Sequence, residues 1–529
     1  MPPILEIKQP SSDPTVNVAL DTLEKNKQAL VFVSSKRGAE KQAEEIAKKV
    51  KVSLAAHKDL ASQALKALSR PTPQCERLAE CLEKGIAFHH AGLHSSQKTL
   101  VEDAFRSGAV RIICSTPTLA MGIDLPAYRA IIRDLKRYSG RLGMAYIQVL
   151  EYLQMVGRAG RPSFDTHGQG ITIAKSEGEA EEIKRKFIQG EPESIYSKLA
   201  VEPVLRTYLL SLIAANVVRS QDQILEFFSK TFWAHQYHDM GELGFKITKT
   251  LKQLVDWEFL RSPQGGQASD FVSGDEMLNE IYTATPLGKR VAELYLDPYT
   301  ARNFVVALRR AQTQSAEKSN GINDFSFLHL VANTLEMRPL LSIKVKEWDI
   351  LQEEALRYQP YVLENEPSVY EPDFEDYLQA TKTALMFRDW IEEKDDVVLM
   401  ETFDVRPGES RAKLGIADWL LGTLVELSQV LELRDLIKHI NKTRIRIEHG
   451  IKEELIALIK LRGIGRVRAR KLFNNKIKDL GDIRTASLTT LEQLIGKETA
   501  KKIKDQVESP EEPIPKGTRK GQLSMERFE

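Results

Sequence analysis

The sequence predicts a multidomain α/β-plus-α chain: an α/β domain built on a parallel sheet, then three largely helical units. Three observations predict this. Short apolar runs alternate with helical stretches only as far as about residue 198. Beyond that point apolar side chains recur at helical spacing. Near the C-terminus a basic stretch contains Gly463-Ile-Gly465 between two helical segments. A chain of 529 residues is long enough for about three to five domains, each with its own core.

In the first unit, residues 1–198, strands are expected at 29–33, 111–114, 130–132 and 170–174. Within 128–146 two extended segments flank Ser139-Gly140, the pattern of a β-hairpin with Tyr138 and Arg141 at its tip, or else of an ordinary meander. Residues 199–300 read as helices at 204–218, 224–232 and 245–257, followed by strands at 258–260 and 281–285 around a Gly/Gln/Ser-rich tip. Helices followed by such a two-stranded wing suggest a winged helix.

Residues 301–440 are helical, apart from an acidic stretch at 361–377 that holds six carboxylates and no Lys or Arg. Over 409–433, Leu414, Ala417, Leu421, Leu424, Val425 and Leu431 form one apolar stripe. Trp419 falls about 140° from Leu414 at roughly 100° per residue, so it stands off the stripe. It is placed either to stack on a base or to pack against another helix.

Residues 441–507 hold the helix, Gly-Ile-Gly turn and second helix of a helix-hairpin-helix, echoed at 488–503. The glycines let backbone N–H groups at a helix start face a phosphate. Arg466, Arg468, Arg470 and Lys471 add charge without base specificity. Overall charge is balanced, 75 Lys+Arg against 74 Asp+Glu, but residues 434–478 carry fourteen basic and four acidic side chains, a candidate nucleic-acid footprint or a solvated helix face. Residues 508–529 form a proline-containing tail.

The chemistry concentrates in Gln154-Met-Val-Gly-Arg-Ala-Gly-Arg-Pro162. One amide and two guanidinium groups on a glycine-containing turn suit a polyphosphate, and Arg158 and Arg161 read as fingers for its terminal phosphate; a surface basic turn is the alternative. Just upstream, Arg111-Ile-Ile-Cys-Ser-Thr116 delivers the polar loop Pro117-Thr-Leu-Ala-Met-Gly-Ile-Asp-Leu-Pro126.

These two segments resemble motifs V and VI of the second RecA-like domain of superfamily-two helicases, in the Ski-type branch that includes the archaeal HelQ-like fork helicases. Residues 28–40, with Ser34-Ser-Lys-Arg37, are similar to motif IV of that branch, and Ile86-Ala-Phe-His-His-Ala-Gly-Leu93 to its motif IVa. The resemblance covers nearly the whole chain. It implies a RecA-like parallel-sheet domain, a winged helix that braces the motor, a helical ratchet bundle and a helix-hairpin-helix.

It also implies site residues. Arg158, Arg161 and Gln154 would be catalytic, and Gly122, Asp124 and Gly157 would meet ATP with Mg2+, held between two RecA-like domains. Ser34, Ser35, Lys36, Thr116 and Thr118 would hold the DNA backbone. Tyr138 and Arg141 would part the duplex, Arg411 and Trp419 would guide the exit strand, and Gly463, Gly465, Arg466, Arg468 and Arg470 would grip phosphates. Ala412 stands where the family tends to carry a second arginine, which weakens the reading of Arg411. Gln522, Met525 and Phe528 resemble a sliding-clamp-binding peptide, although Glu529 replaces its usual second aromatic; a frayed tail is the alternative.

Two sequence signals of the first RecA-like domain are missing. No G-x-x-x-x-G-K-[ST] occurs; Gly288-Lys-Arg290 and Gly496-Lys-Glu498 lack the hydroxyl, and Asp275-Glu276 continues with Met-Leu instead of completing a Walker B element. The reading is therefore the motor-half and DNA-handling portion of an ATP-dependent 3′ to 5′ helicase acting on forked or branched DNA, inactive alone. Its partners would be single-stranded and forked DNA and a chain or segment supplying the first RecA-like domain. A non-enzymatic DNA-binding remnant and a Ski-type RNA helicase stay open. Three cysteines without a C-x-x-C pair argue against a disulfide framework or zinc site, and no metal ligands are assigned. The longest apolar stretch, 208–218, is too short to span a bilayer, so a cytoplasmic protein without membrane contact is expected.

Overall fold

The computed structural model describes residues 6–51, 54–138, 143–160, 167–262, 281–317 and 321–508. In the first unit five parallel strands lie in the order β2-β3-β1-β4-β7, with β1 at Ala29–Phe32, β2 at Ile86–His89, β3 at Ile112–Ser115, β4 at Arg129–Ile132 and β7 at Gln169–Thr172. β1, β2, β3 and β4 are buried along their whole length. A sheet covered on both faces has no use for alternation, which is why these segments read as continuous apolar runs. Arg129 is the largest exception, a fully buried cation in β4. Its charge is compensated by Asp21 at 2.6 Å and by the Thr22 hydroxyl, the Val18 carbonyl and Gln169.

The expected hairpin is present. β5 (Lys136–Tyr138) pairs antiparallel with β6 (Met144–Tyr146), Tyr138 opposite Met144, and it stands out from the sheet with β5 exposed throughout. Arg141 and the Ser139-Gly140 turn lie outside the described residues.

The next unit holds helices Glu202–Ala214, Gln221–Ser229, Phe232–Tyr237 and Met240–Asp256, then a short antiparallel pair, β8 (Leu260–Arg261) with β9 (Thr283–Ala284). The single helix expected at 224–232 is two, because Lys230 closes the first and Thr231 precedes the second in extended conformation. One apolar core runs without a break from Leu205 in this unit to Ile447 in the bundle, so helices and wing are packed onto the bundle as one body. The helix-hairpin-helix has its own core, from Ile451 to Val507.

The long bundle helix is Pro407–Val430. Leu414, Ala417, Leu421, Leu424 and Val425 are buried, as the stripe requires, while Trp419 is 37% exposed on another face. Among the described residues no helix is long and apolar enough to cross a membrane.

Candidate nucleic-acid and nucleotide interface

Ser34, Ser35, Lys36, Thr116, Thr118 and Gln154 all line one open cleft of about 910 Å3. Arg37, Arg137 and Gln148 of the same domain also line it, and Asp404 and Arg406 reach it from the bundle. The sequence order brings them together because β1 and β3 are neighbours in the sheet and each ends in a polar loop on the same edge. Ligands of open parallel sheets bind at that edge, beyond the carboxyl ends of the strands.

Several of these groups are already engaged. The Ser34 N–H and hydroxyl donate to Asp134 at 3.0 and 3.3 Å. Ser35 caps the helix Lys36–Ala47 by accepting from the Gly38 N–H. Thr116 and Thr118 share a hydroxyl contact at 2.9 Å, and Arg137 pairs with Glu151 at 2.9 Å. Lys36 is ion-paired with Glu409 at the start of the long bundle helix; burial, with Arg406 nearby, lowers its affinity for a proton. A phosphate in the cleft therefore competes with Glu409 for this cation.

The helix Val149–Val156 brings Gln154 to this cleft, and Arg158 follows just beyond its end. The first two amides of that helix, Val149 and Leu150, donate to the Glu193 carboxylate at 2.7 and 3.2 Å, which fixes the helix that carries Gln154. Arg158 donates from Nε and Nη2 to the Ala120 carbonyl, at 3.1 and 2.5 Å, and its Nη1 lies 4.0 Å from Asp124. Gly122, at φ +79°, sits in the loop between Ala120 and Asp124, and Gly157 is exposed beside Arg158. Asp124 points almost entirely into solvent, and the apolar side chains of Met121 and Leu150, which line the cleft, and of Leu153 are exposed. Arg161 lies outside the described residues, and no described group of three or more His, Cys, Asp or Glu could hold a metal ion.

In the bundle, Arg411 does not project freely. Its guanidinium pairs with Asp396 at 3.0 Å and stacks over Trp390 at 4.1 Å from the ring centroid. Arg466, from the helix-hairpin-helix, lies over the same ring at 4.7 Å and donates to the Lys394 carbonyl. Trp390 is thus shared by two cations, and its Nε1–H donates to the Ile447 carbonyl at 2.8 Å.

Arg466, Arg468 and Arg470, expected together as phosphate contacts, stand in three different surroundings. Arg470 is bidentate to Glu393, at 2.8 and 2.6 Å, and also meets Glu454. Much of the wider basic stretch is likewise paired: Arg444 with Asp418, Arg446 with Asp324 and Glu392, Lys442 with Glu453. Arg462, Arg468 and Lys471 are exposed and make no ion pair among the described residues. Gly463, at φ +93°, makes the turn that only a residue without a side chain adopts easily, and Gly465 caps the helix Arg466–Asn474. Replacing Arg468 and Lys471 with alanine should lower the salt slope of single-strand binding by roughly 1–2, whereas Arg470→Ala should leave it unchanged. Fluorescence-anisotropy titrations over a salt series check both.

Sequence reasoning missed Glu40. It lies 3% exposed between the two units, and its carboxylate meets His90 Nε2 at 3.1 Å, Arg77 at 2.6 Å and Arg406 at 3.3 Å. Burial alone would raise its pKa, but the His90 hydrogen bond and the Arg406 and Arg77 charges hold it at about 2. A carboxyl depressed from its ordinary 4.5 stabilises the fold fully above that value and loses the contribution as pH falls towards 2. The stability gap between wild type and Glu40→Gln should therefore be constant at neutral pH and shrink below about pH 4.5, as read from urea midpoints.

Comparison with known proteins gives four family matches along the chain. The helicase conserved C-terminal domain matches residues 62–163, a helix-turn-helix domain 171–261, archaeal helicase domain 4 residues 325–450, and a SAM-like helix-hairpin-helix tandem 455–509. The chain is 34% identical to the ATP-dependent DNA helicase Hel308 of Methanococcus vannielii, over 94% of the chain and 68% of that protein. It is 37% identical to the Hel308 of Pyrococcus abyssi and 36% to that of Pyrococcus horikoshii, over 90% of the chain and 63% of each relative.

Proposed function

The chain belongs to the Hel308 helicase family, and from that premise we propose that it is the second motor domain and DNA-handling portion of an ATP-dependent DNA helicase. The cleft carries this reading. Polar side chains of the motif IV and V loops line it together with Gln154 of motif VI, and its far wall is the start of the bundle helix that bears Trp419. A single strand lying there would be held by its phosphates, without base specificity, and would meet an exposed aromatic further along the helix.

ATP would supply the driving hydrolysis from a site completed by a first RecA-like domain, and Mg2+ would arrive with it. Arg158, Arg161 and Gln154 would contact the nucleotide's phosphates from this chain, with Gly122, Asp124 and Gly157 beside them. Tyr138 at the end of β5, with Arg141, would act at the point where the duplex parts. Forked or branched DNA in replication-coupled repair is the substrate class this arrangement suits. Gln522, Met525 and Phe528, outside the described residues, would engage a sliding clamp.

The test is a direct comparison of substrates. The chain, supplied with a first RecA-like domain, should unwind a forked DNA duplex with a 3′ tail and should bind DNA tails more tightly than RNA tails. Unwinding restricted to RNA duplexes would favour the Ski-type RNA reading. DNA binding without any restored unwinding would favour a binding remnant.

A further inference from the structure

A second pocket, of about 730 Å3, lies in the bundle and shares no lining residue with the cleft. One side of it is the helix Pro298–Glu317. The others are the turn after the helix Asp324–Ala332 and the acidic stretch that leads into the helix Phe374–Ile391. Its volume is that of a site for a small ligand.

Along the helix Pro298–Glu317 the lining changes character. Arg302 is exposed, donates to Asn303 of its own helix at 3.4 Å and makes no ion pair among the described residues. One turn on, Val306 is 51% exposed and presents an apolar surface. Two turns on, about 12 Å from Arg302 at 1.5 Å per residue, stands Arg310. Its Nη1 donates to the Leu363 carbonyl at 3.4 Å and to Asn365 at 3.1 Å. Beside it Asn333 donates to Oε2 of Glu364 at 3.1 Å, which leaves Oε1 without a partner among the described residues.

Tyr377 lines the same end of the pocket. It is 2% exposed and held between the rings of Phe374 and His329, yet its hydroxyl has no hydrogen-bond partner among the described residues. Burial and the Glu366 and Glu364 charges push its pKa up, so it remains a donor without an acceptor. A buried polar group in that state marks a wall that the protein's own side chains do not complete.

A free cation, an apolar span and an edge of mixed donors and acceptors is also the order of groups in a nucleotide. We propose that this pocket binds one nucleotide unit, with its phosphate at Arg302, its base over Val306 and the base edge at Asn333, Glu364 and Asn365. The opposite orientation would set the phosphate against Glu364. Glu364 accepts but cannot donate, so the amino-bearing edge of adenine or cytosine fits better than the carbonyl edge of uracil or thymine. Of the other acids at the pocket, Asp376 is taken by Arg338 at 2.7 Å and Asp373 is exposed.

Equilibrium dialysis of the full chain against radiolabelled AMP tests this. One saturable site is expected, with CMP competing well and UMP roughly tenfold less well. Arg302→Ala should weaken AMP binding roughly 10- to 100-fold without changing the melting temperature, since the side chain is exposed. Glu364→Gln, whose amide can donate, should bring AMP and UMP together. Binding that survives Arg302→Ala, or that Arg158→Ala abolishes instead, overturns the proposal. So does equal competition by inorganic phosphate, or no saturation up to roughly 1 mM AMP. Displacement of AMP by excess single-stranded oligodeoxyadenosine identifies a nucleotide of a strand as the occupant, and retention of AMP identifies a free one.

Discussion

Purified alone, the chain should neither hydrolyse ATP nor open a forked duplex, and supplying a first RecA-like domain should restore both. The reason is chemical. The sequence contains no lysine in a Walker A setting and no acidic pair in a Walker B setting, so a γ-phosphate would find no P-loop cradle and Mg2+ no carboxylate. What the chain would offer on the proposed reading is Gln154 and Gly157, both exposed, and Arg158, steadied by the Ala120 carbonyl and with its Nη1 4.0 Å from Asp124. Guanidinium groups supplied to a phosphoryl-transfer site from a second domain are worth about 10³–10⁵ in rate. Arg161→Ala in the restored assembly should therefore reduce ATP hydrolysis by roughly 10³-fold or more while single-strand binding by the chain is retained. A coupled-enzyme ATPase assay with and without DNA measures both statements. Robust DNA-stimulated hydrolysis by the chain alone would refute the divided site.

The parts of the molecule that were legible in the sequence are those whose signal is local. β1, β3, β4 and β7 announce themselves as apolar runs, the hairpin as two extended segments around Ser139-Gly140, and the face of the bundle helix as a stripe from Leu414 to Val425. β2 was visible only as part of a motif, since His89 and His90 break its apolar pattern and their reason is non-local: His89 meets Glu102, and His90 meets Glu40.

The partners of the basic stretch were illegible for the same cause. Arg466 looks free beside Gly465, but Trp390, the ring it covers, lies far away in sequence. Arg470 has its Glu393 in another unit, and Arg406 finds Glu40 at a separation of 366 residues. Composition can show that cations are plentiful; which of them remain for a polyanion depends on packing. The cations left exposed and without an ion pair among the described residues are accordingly fewer than the count of fourteen basic residues suggests, and Arg462, Arg468 and Lys471 gather around the Gly463 turn.

Two tryptophans in one bundle offer the sharper contrast, because the same substitution should do opposite things to them. Trp419 is 37% exposed, and the surface one turn before it is open, since a Cβ built on Gly415 meets nothing within 4 Å. Its neighbours Ala417 and Leu420 are fully buried, so the helix face that packs is the one they occupy, and on the proposed reading the indole would be available to a base. Stacking on a base is worth about 1–3 kcal/mol, so Trp419→Ala should weaken single-strand binding by roughly 5- to 150-fold with little change in melting temperature. Trp390 is 6% exposed, its N–H is satisfied by the Ile447 carbonyl, and Arg411 and Arg466 lie over its ring. Removing it empties a core site and unseats both guanidinium groups, so Trp390→Ala should cost about 3–5 kcal/mol of stability. Anisotropy titrations and denaturant melts on the two variants separate the roles. A Trp419→Ala chain that binds DNA normally but melts early would show that this indole is a packing residue and that the exit strand runs elsewhere.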